Sequence, residues 1–118
     1  MGLYTKLVVW NKSMDLVEKI YKISLPDEER FGLASQLRRS AVSIPSNIAE
    51  GNGRNSDKDF TRFLNIAIGS LFEMQTQVEI CFRLKYVQKE QYNEIINLSR
   101  EVEAMLTSLI KKLSHSVS

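Results

Sequence analysis

Apolar residues recur every three or four positions in four separate tracts of this chain, and this spacing restricts the fold more than any other feature. A repeat of 3.6 residues places such side chains on one face of an α-helix, whereas a strand needs alternation at every second residue. No tract shows sustained alternation. Because the connections between tracts are short, neighbouring helices are expected to run antiparallel. The sequence predicts an all-α, antiparallel up-down-up-down four-helix bundle, with residues 1–118 as a single domain.

The four helices are expected at residues 10–24, 28–51, 57–85 and 89–113. Pro26 ends the first tract, Asp27, Glu28 and Glu29 suit the positive end of the second helix, and Gly51 and Gly53 end that helix. Their predicted core stripes are, in chain order, Trp10, Met14, Val17 and Tyr21; Leu33, Leu37, Ala41, Ile44 and Ile48; Phe60, Leu64, Ala67, Leu71, Met74, Val78 and Cys81; and Tyr92, Ile95, Ser99, Val102, Leu106, Leu109 and Leu113.

Pro45 lies inside the second tract. Proline has no amide to donate to the carbonyl four residues earlier, and its ring crowds that carbonyl, which costs about 3 kcal/mol in a helix interior. The apolar spacing continues from Ala41 to Ile44 and Ile48, so it predicts one helix kinked at Pro45 and not two separate helices.

A stripe of small or hydrogen-bonding residues lies beside the apolar stripe of the second tract: Gln36, Ser40, Ser43, Asn47 and Glu50. Serine and asparagine are mediocre helix formers, and a freely solvated helix face usually carries long charged side chains instead. Three interpretations stay open: a solvated face, a close contact with another helix of this chain or of another subunit, and a ligand site. As an interface hypothesis, Gln36, Ser40, Ser43 and Asn47 form contacts between subunits.

The sequence lacks the side chains that most enzymatic chemistry in helical bundles requires. Cys81 is the only cysteine and His115 the only histidine. Di-iron bundles need Glu-x-x-His pairs on facing helices, and no acid precedes His115 by three positions. Cys81 lies on a core stripe and has no histidine to activate it, so we expect an inert buried thiol. We expect no enzymatic activity, cofactor, metal or small-molecule substrate.

The formal net charge is only +2, so any nucleic-acid contact must come from a local patch. A lone thiol fits the reducing cytosol, and no run approaches the ~20 apolar residues of a membrane span, so a cytoplasmic location without membrane contact is expected. If several subunits assembled, Arg38, Arg39 and Arg54 of each could form one shared basic ring or groove. The alternative is that they are ordinary surface arginines in local ion pairs.

Three segments resemble the 23S ribosomal RNA intervening-sequence protein family, also called the four-helix bundle protein family. They are "LVVWNKSMDL" at 7–16, "GLASQLRRSAVSIPSNIAEG" at 32–51 and "FTRFLNIAIGSLFEMQTQ" at 60–77. The resemblance covers nearly the whole chain, and "RRSAVSIPSNIAEG" is its most specific part. The family pattern falls on Trp10, Gln36, Arg38, Arg39, Ser43, Pro45, Asn47, Glu50, Gly51, Phe63, Leu64, Ala67, Ser70, Glu73, Thr76 and Gln77.

The resemblance implies a bacterial four-helix bundle that assembles as a homopentamer and has no established enzymatic activity. It also implies a gene lying in, or derived from, an insertion within a 23S ribosomal RNA gene. A distantly similar protein is the accessory subunit of diversity-generating retroelements, which binds nucleic acid and a reverse transcriptase. Family members often carry a second acid two residues beyond Glu73, and here that position is Gln75. A role that needs the acid pair is therefore not expected of this chain.

Together these observations predict a non-enzymatic oligomer that binds RNA or a nucleoprotein complex, with Arg38, Arg39 and Arg54 as phosphate contacts. The alternative is a module for self-assembly or protein–protein interaction without affinity for nucleic acid.

Overall fold

Four α-helices make up most of the chain in the computed structural model, which describes residues 3–117, with side chains up to residue 114. They are α1 (Val8–Tyr21), α2 (Leu33–Asn52), α3 (Asp57–Arg83) and α4 (Lys89–Val117). Two short 3-10 helices, Leu3–Lys6 and Asp27–Glu29, precede α1 and α2. The part of the chain that the structure describes contains no strand, which confirms the all-helical prediction.

The helices surround one core, and each packs beside two others: α1 against α2 and α4, and α3 against α2 and α4. The largest fully buried side chains come from all four helices: Leu16, Ile20, Leu37, Ile44, Ile48, Leu64, Leu71, Met74, Val78, Ile95, Val102 and Leu106. Removing this apolar surface from water, at about 25 cal/mol per Å², is the main stabilising contribution to the fold. None of the described helices is long and apolar enough to cross a membrane.

The buried faces of α2 and α3 follow the predicted stripes. In α2 the positions from Leu37 to Ile48 that were assigned to the core are buried, and in α3 the same holds from Leu64 to Cys81. The helix α2 is continuous across Pro45, which is itself buried. This confirms the prediction, made from the apolar spacing on both sides of Pro45, that the tract forms one helix.

The buried face of α1 differs from the predicted one. Its buried residues are Val9, Ser13, Leu16 and Ile20, while the predicted stripe beginning at Trp10 lies along the edge of the core and is only partly covered. Apolar side chains occupy more than half of the circumference of α1, so their spacing alone does not locate the centre of the buried arc.

The helix α2 begins at Leu33, five residues later than the sequence predicted. After Pro26 the acidic segment forms the 3-10 helix, and the chain turns at Gly32 before α2 starts. The Glu29 carboxylate accepts a hydrogen bond from the Leu33 amide (3.3 Å) and another from the Tyr86 hydroxyl (3.3 Å). The acidic segment thus caps α2 from outside instead of forming its first turn.

Side-chain and backbone caps fix both ends of α3. The Ser56 hydroxyl accepts a hydrogen bond from the Asp59 amide (3.1 Å), which makes Ser56 the N-cap of the helix. At the other end, the Tyr86 amide donates to the Cys81 carbonyl (2.8 Å) and the Lys85 amide donates to Phe82 (3.0 Å). These two bonds define a Schellman motif, with Lys85 at the left-handed position (φ 65°). The last helix, α4, extends four residues beyond its predicted end at residue 113.

Candidate functional site

The polar stripe of α2 faces α3 of the same chain. Ser40 is buried, and its hydroxyl oxygen lies 2.7 Å from Oε1 of Gln77. One turn further on, the hydroxyls of Ser43 and Ser70 lie 2.8 Å apart. Of the three interpretations that the sequence left open, a close helix–helix contact within the chain describes this part of the stripe.

The hydrogen bonds at the base of this contact form a small network. Asn47 donates from its amide to the Ser43 carbonyl (2.8 Å) and to the Ser43 hydroxyl (2.9 Å). The Ser40 hydroxyl, which has a single proton, lies within bonding distance of both Gln77 Oε1 and the Leu37 carbonyl (3.0 Å). Rotating the Gln77 amide by half a turn lets its NH₂ donate to Ser40 while Ser40 donates to Leu37. Among the described residues, every buried side-chain nitrogen or oxygen atom has a hydrogen-bond partner.

A cleft of about 360 Å³ opens above this network between α2 and α3. It is lined by Gln36, Arg39, Ser40, Ser43, Ser70 and Glu73. Arg39 and Glu73 bring opposite charges to the same cleft, yet neither forms an ion pair with any described residue. Arg39 donates only a hydrogen bond to the Ser35 hydroxyl (3.3 Å). Both charges are exposed and free to meet a ligand or a partner.

The three predicted phosphate contacts lie at three separate places, and of them only Arg39 lines the cleft. Arg38 extends to the opposite side of α2 from the cleft and stacks its guanidinium over the Tyr21 ring, 4.8 Å from the centroid. Arg54 follows the end of α2, with its guanidinium 3.8 Å from the Glu50 carboxylate and 4.7 Å from the centroid of Phe63. Some fifteen residues separate Arg54 from Arg39, a distance of about 22 Å along a helix.

The structure places Arg62, which the site hypothesis omitted, beside Arg54. The Arg62 guanidinium lies 4.5 Å from the centroid of the same Phe63 ring and 3.6 Å from the Asp59 carboxylate. Two guanidinium groups at one aromatic ring form a second basic position, at the turn between α2 and α3. In the sequence, only the neighbouring positions of Arg62 and Phe63 indicated a contact between a guanidinium group and an aromatic ring. The turn between α2 and α3 brings Arg54 to the same ring.

Cys81 is the only free thiol, and it is buried. Burial, with a smaller contribution from the nearby Glu29 carboxylate, raises the pKa of the thiol to about 11. The thiol therefore stays protonated and unreactive at neutral pH, as expected of a core residue. Among the described side chains, no three His, Cys, Asp or Glu residues are grouped so that they could hold a metal ion. The His115 side chain lies outside the described residues.

The family model of the 23S rRNA-intervening sequence proteins matches residues 5–108, which include α1, α2 and α3 in full and most of α4. The chain belongs to the 23S rRNA-intervening sequence protein family. A search of the curated proteins finds no significant match to it.

A solved structure supports this assignment. A protein of unknown function from Bacteroides thetaiotaomicron, described as a member of the S23 ribosomal protein family, superposes with a TM-score of 0.81. The two sequences are 36% identical, and the match covers 88% of this chain and 99% of the Bacteroides chain. The similarity of fold therefore extends over most of this chain.

Proposed function

We propose that this member of the 23S rRNA-intervening sequence family is a non-enzymatic, self-associating protein that binds RNA phosphates through Arg38 and Arg39. One observation carries the proposal: the two adjacent arginines are exposed and form no ion pair with the described residues. Arg54 is a weaker contact, because Glu50 partly neutralises it. The name of the family refers to 23S rRNA, so ribosomal RNA is the first polyanion to test.

Self-association is part of this proposal because one chain offers few uncompensated charges. With a net charge of +2, a single copy attracts a polyanion weakly. Repeating Arg38 and Arg39 around a symmetric assembly multiplies the local positive potential without changing the composition of the chain. The homopentamer implied by the family resemblance is the assembly we expect, and we place it in the cytoplasm.

We also infer that the helices alternate in direction and that α2 bends at Pro45. Residues that meet across helix pairs occur in opposite chain order, which supports the alternation. These pairs are Lys12–Glu101 and Lys19–Glu94 between α1 and α4, Ser40–Gln77 and Ser43–Ser70 between α2 and α3, and Gln75–Ser99 and Tyr92–Glu79 between α3 and α4. The bend follows from the amide that Pro45 lacks and from the crowding of its ring against the preceding turn.

Binding to labelled single-stranded RNA from 23S rRNA, measured over a series of salt concentrations, tests the phosphate contacts. We expect the logarithm of the binding constant to fall linearly with the logarithm of salt concentration, by about 0.7 for each phosphate neutralised. The double substitution Arg38→Gln/Arg39→Gln should weaken binding at low salt by at least tenfold and make the salt dependence less steep.

The matched control is Arg83→Gln, since Arg83 is exposed but paired with Glu79 (2.9 Å). This variant should bind RNA as tightly as the natural chain. No detectable binding at low salt, binding that does not change with salt, or equal losses for the control and the double variant would contradict the phosphate model.

A second candidate function is self-assembly or protein–protein interaction without affinity for nucleic acid. The observation that favours it is the outward side of α3, where Ile66, Phe72 and Ile80 are all exposed. The interface hypothesis for Gln36, Ser40, Ser43 and Asn47 needs a revised test, because Ser43 already contacts Ser70 within the chain. A Ser43→Arg variant would disturb α2–α3 packing first, so it does not isolate a subunit contact. An assembled natural chain with no RNA affinity at any salt concentration would select this second function.

A further inference from the structure

We infer that the cleft between α2 and α3 binds a single unpaired guanine base of RNA, which Glu73 and Gln36 recognise beside the phosphate contact of Arg39. The inference rests on the proposed RNA binding and adds a base preference to it. Phosphate contacts position a strand but carry no sequence information, so a preference needs groups that reach the edge of a base. The cleft is lined by Gln36, Arg39, Ser40, Ser43, Ser70 and Glu73.

Arg39 and Glu73 lie on opposite walls of the cleft at the same height. Ser43 of α2 lies beside Ser70 of α3, with their hydroxyl oxygens 2.8 Å apart, and the two helices meet in opposite chain order. Arg39, one turn before Ser43, is therefore level with Glu73, almost one turn after Ser70. Neither charge forms an ion pair with a described residue. A ligand in the cleft thus meets a cation on one wall and an anion on the other.

Glu73 is the residue that a site for phosphate alone leaves unexplained. A carboxylate repels a polyanion, and an ionised carboxylate accepts hydrogen bonds but donates none. The occupant of the cleft must therefore bring N–H donors to Glu73 and an anion to Arg39. A nucleotide of single-stranded RNA carries both, since its phosphate is anionic and the edge of its unstacked base is free to form hydrogen bonds.

Guanine is the base whose edge matches a carboxylate. Its Watson–Crick edge presents two adjacent donors, the N1–H and the 2-amino group, and the two oxygens of one carboxylate can accept both. On the same edge uracil offers a single N–H, while adenine and cytosine offer one amino group beside a ring nitrogen that only accepts. A duplex uses this edge for pairing, so the guanine must be unpaired.

Gln36 supplies the donor that the remaining group of the guanine edge requires. It is exposed on the α2 wall of the cleft and forms no hydrogen bond with a described residue. Its amide NH₂ can donate to guanine O6 while Glu73 accepts from the other two positions. The hydroxyls of Ser43 and Ser70 bond each other at the base of the cleft, so recognition falls to the side chains at its rim.

The size of the cleft suits one base. Its volume of about 360 Å³ is near the lower end of the range for small-molecule sites, roughly 300–1,000 Å³. Ser40, Ser43 and Ser70 keep this space open, because their side chains are short and point into a contact that larger residues would fill. A single flat base can enter such a cleft, whereas a duplex cannot.

The binding of three labelled RNA octamers, measured at one low salt concentration, tests the inference. The first contains uridine only, the second has one central guanosine, and the third has inosine at that position, which lacks the 2-amino group of guanosine. We expect the natural chain to bind the guanosine octamer about five- to a hundredfold more tightly than the uridine octamer, the usual value of one good two-bond contact to a base. The inosine octamer should have an intermediate affinity.

The Glu73→Gln variant separates recognition of the base from general electrostatics. Losing a negative charge should strengthen binding of the uridine octamer, because the phosphates are repelled less. The same variant should bind the guanosine octamer more weakly, since an amide offers one acceptor oxygen to two donors. Glu73 is exposed, so the variant should keep the helicity of the natural chain by circular dichroism.

The matched control is Glu90→Gln, which makes the same change of charge at an exposed residue outside the cleft. This variant should keep the preference of the natural chain for the guanosine octamer. A Gln36→Ala variant should reduce that preference, because guanine O6 loses its donor.

Three results would overturn the inference. They are equal affinity of the natural chain for the guanosine and uridine octamers, equal affinity for the guanosine and inosine octamers, and a Glu73→Gln variant that binds every octamer more tightly by the same factor, as the loss of an ordinary surface acid would. In each case, salt-dependent binding that Arg38→Gln/Arg39→Gln weakens would still support the proposed function. No detectable binding of the octamers or of longer 23S rRNA at low salt would remove both.

Discussion

At the scale of single residues, Lys85 carries the clearest backbone strain in the described chain. Its φ of 65° lies in the left-handed region, which costs an L-residue about 1–2 kcal/mol and costs glycine nothing comparable. We expect Lys85→Gly to raise the free energy of unfolding, measured in urea, by about 1 kcal/mol. The gain is smaller than the relieved strain, because glycine has more conformational entropy to lose from the unfolded state. Lys85→Ala, which removes the charge but keeps the strain, should change the stability by less than half as much.

Gly51 is a site where the loss of a small residue should be costly. A Cβ at this position would lie 2.6 Å from Cβ of Phe63 and 2.9 Å from a ring carbon of Phe60, so α2 and α3 would have to separate. We expect Gly51→Ala to destabilise the fold by about 1–3 kcal/mol, the usual range for overpacking. Gly53→Ala is the control, since its nearest neighbour would be 3.6 Å away, and an equal loss there would show that Gly51 has no special packing role.

Glu79 should contribute to the acid sensitivity of the fold. A hydrogen bond from the Tyr92 hydroxyl, together with Arg83, lowers the pKa of this carboxyl below its ordinary value of 4.5. A carboxyl whose pKa is lower in the folded state than in the unfolded state adds stability above its unfolded pKa. That stability is lost as the pH falls through the folded pKa.

The Tyr92→Phe variant tests this contribution, because it keeps an aromatic ring stacked against Phe82 and removes only the hydroxyl. In a pH titration followed by NMR, the pKa of Glu79 should rise toward 4.5 in the variant. The loss of stability below that pH should become smaller. Tyr86→Phe, whose hydroxyl bonds Glu29 instead, should leave the Glu79 titration unchanged.

At the scale of helices, the α2–α3 contact is held by buried polar pairs as well as by apolar packing. Ser40→Ala removes the hydrogen-bond partner of the Gln77 amide, which is almost fully buried, and should cost about 1–3 kcal/mol. Gln77→Leu should cost less, because the Ser40 hydroxyl keeps its hydrogen bond to the Leu37 carbonyl. The double variant should lose less free energy of unfolding, measured in urea, than the two single variants together. If the two losses simply added, Ser40 and Gln77 would not interact.

The sequence predicted some helices better than others, for physical reasons. The stripes of α2 and α3 are narrow and bounded by polar residues, so a period of 3.6 located their buried faces correctly. In α1 the sequence analysis assigned Val17 to the core, but Leu16 is the buried residue, because the apolar arc is broad and the neighbouring helices decide which part of it is covered. The start of α2 was misplaced because acidic residues after a proline are typical of a helix N-terminus, whereas here they cap it from a separate turn.

The candidate site was predictable in part. The spacing of Ser40 and Ser43 identified a polar face, but their partners, Gln77 and Ser70, lie about thirty residues later, and no local pattern connects them. The proximity of Arg54 to Arg62 likewise depends on how the turn folds back. Local spacing therefore predicts which face is polar, while the packing of helices decides which residues share a site.

At the scale of the whole molecule, the incomplete burial of Trp10, Met14 and Val17 in a single chain makes the proposed self-association testable by unfolding. A contact that forms only between folded copies stabilises the folded state by mass action, so the thermal midpoint should rise with protein concentration. We expect a rise of several degrees over a hundredfold range for the natural chain. Phe72→Asp should unfold at a midpoint independent of concentration.

Thermal unfolding followed by circular dichroism measures these midpoints, with Phe31→Asp as the variant that should follow the natural chain. The comparison separates assembly from intrinsic stability, because a substitution that merely weakened the bundle would lower the midpoint equally at every concentration. If the unfolding midpoints of the natural chain and of Phe72→Asp shifted in parallel with concentration, Phe72 would lie outside the interface. If neither shifted, the partly covered side chains of α1 would be a stable surface of a monomer.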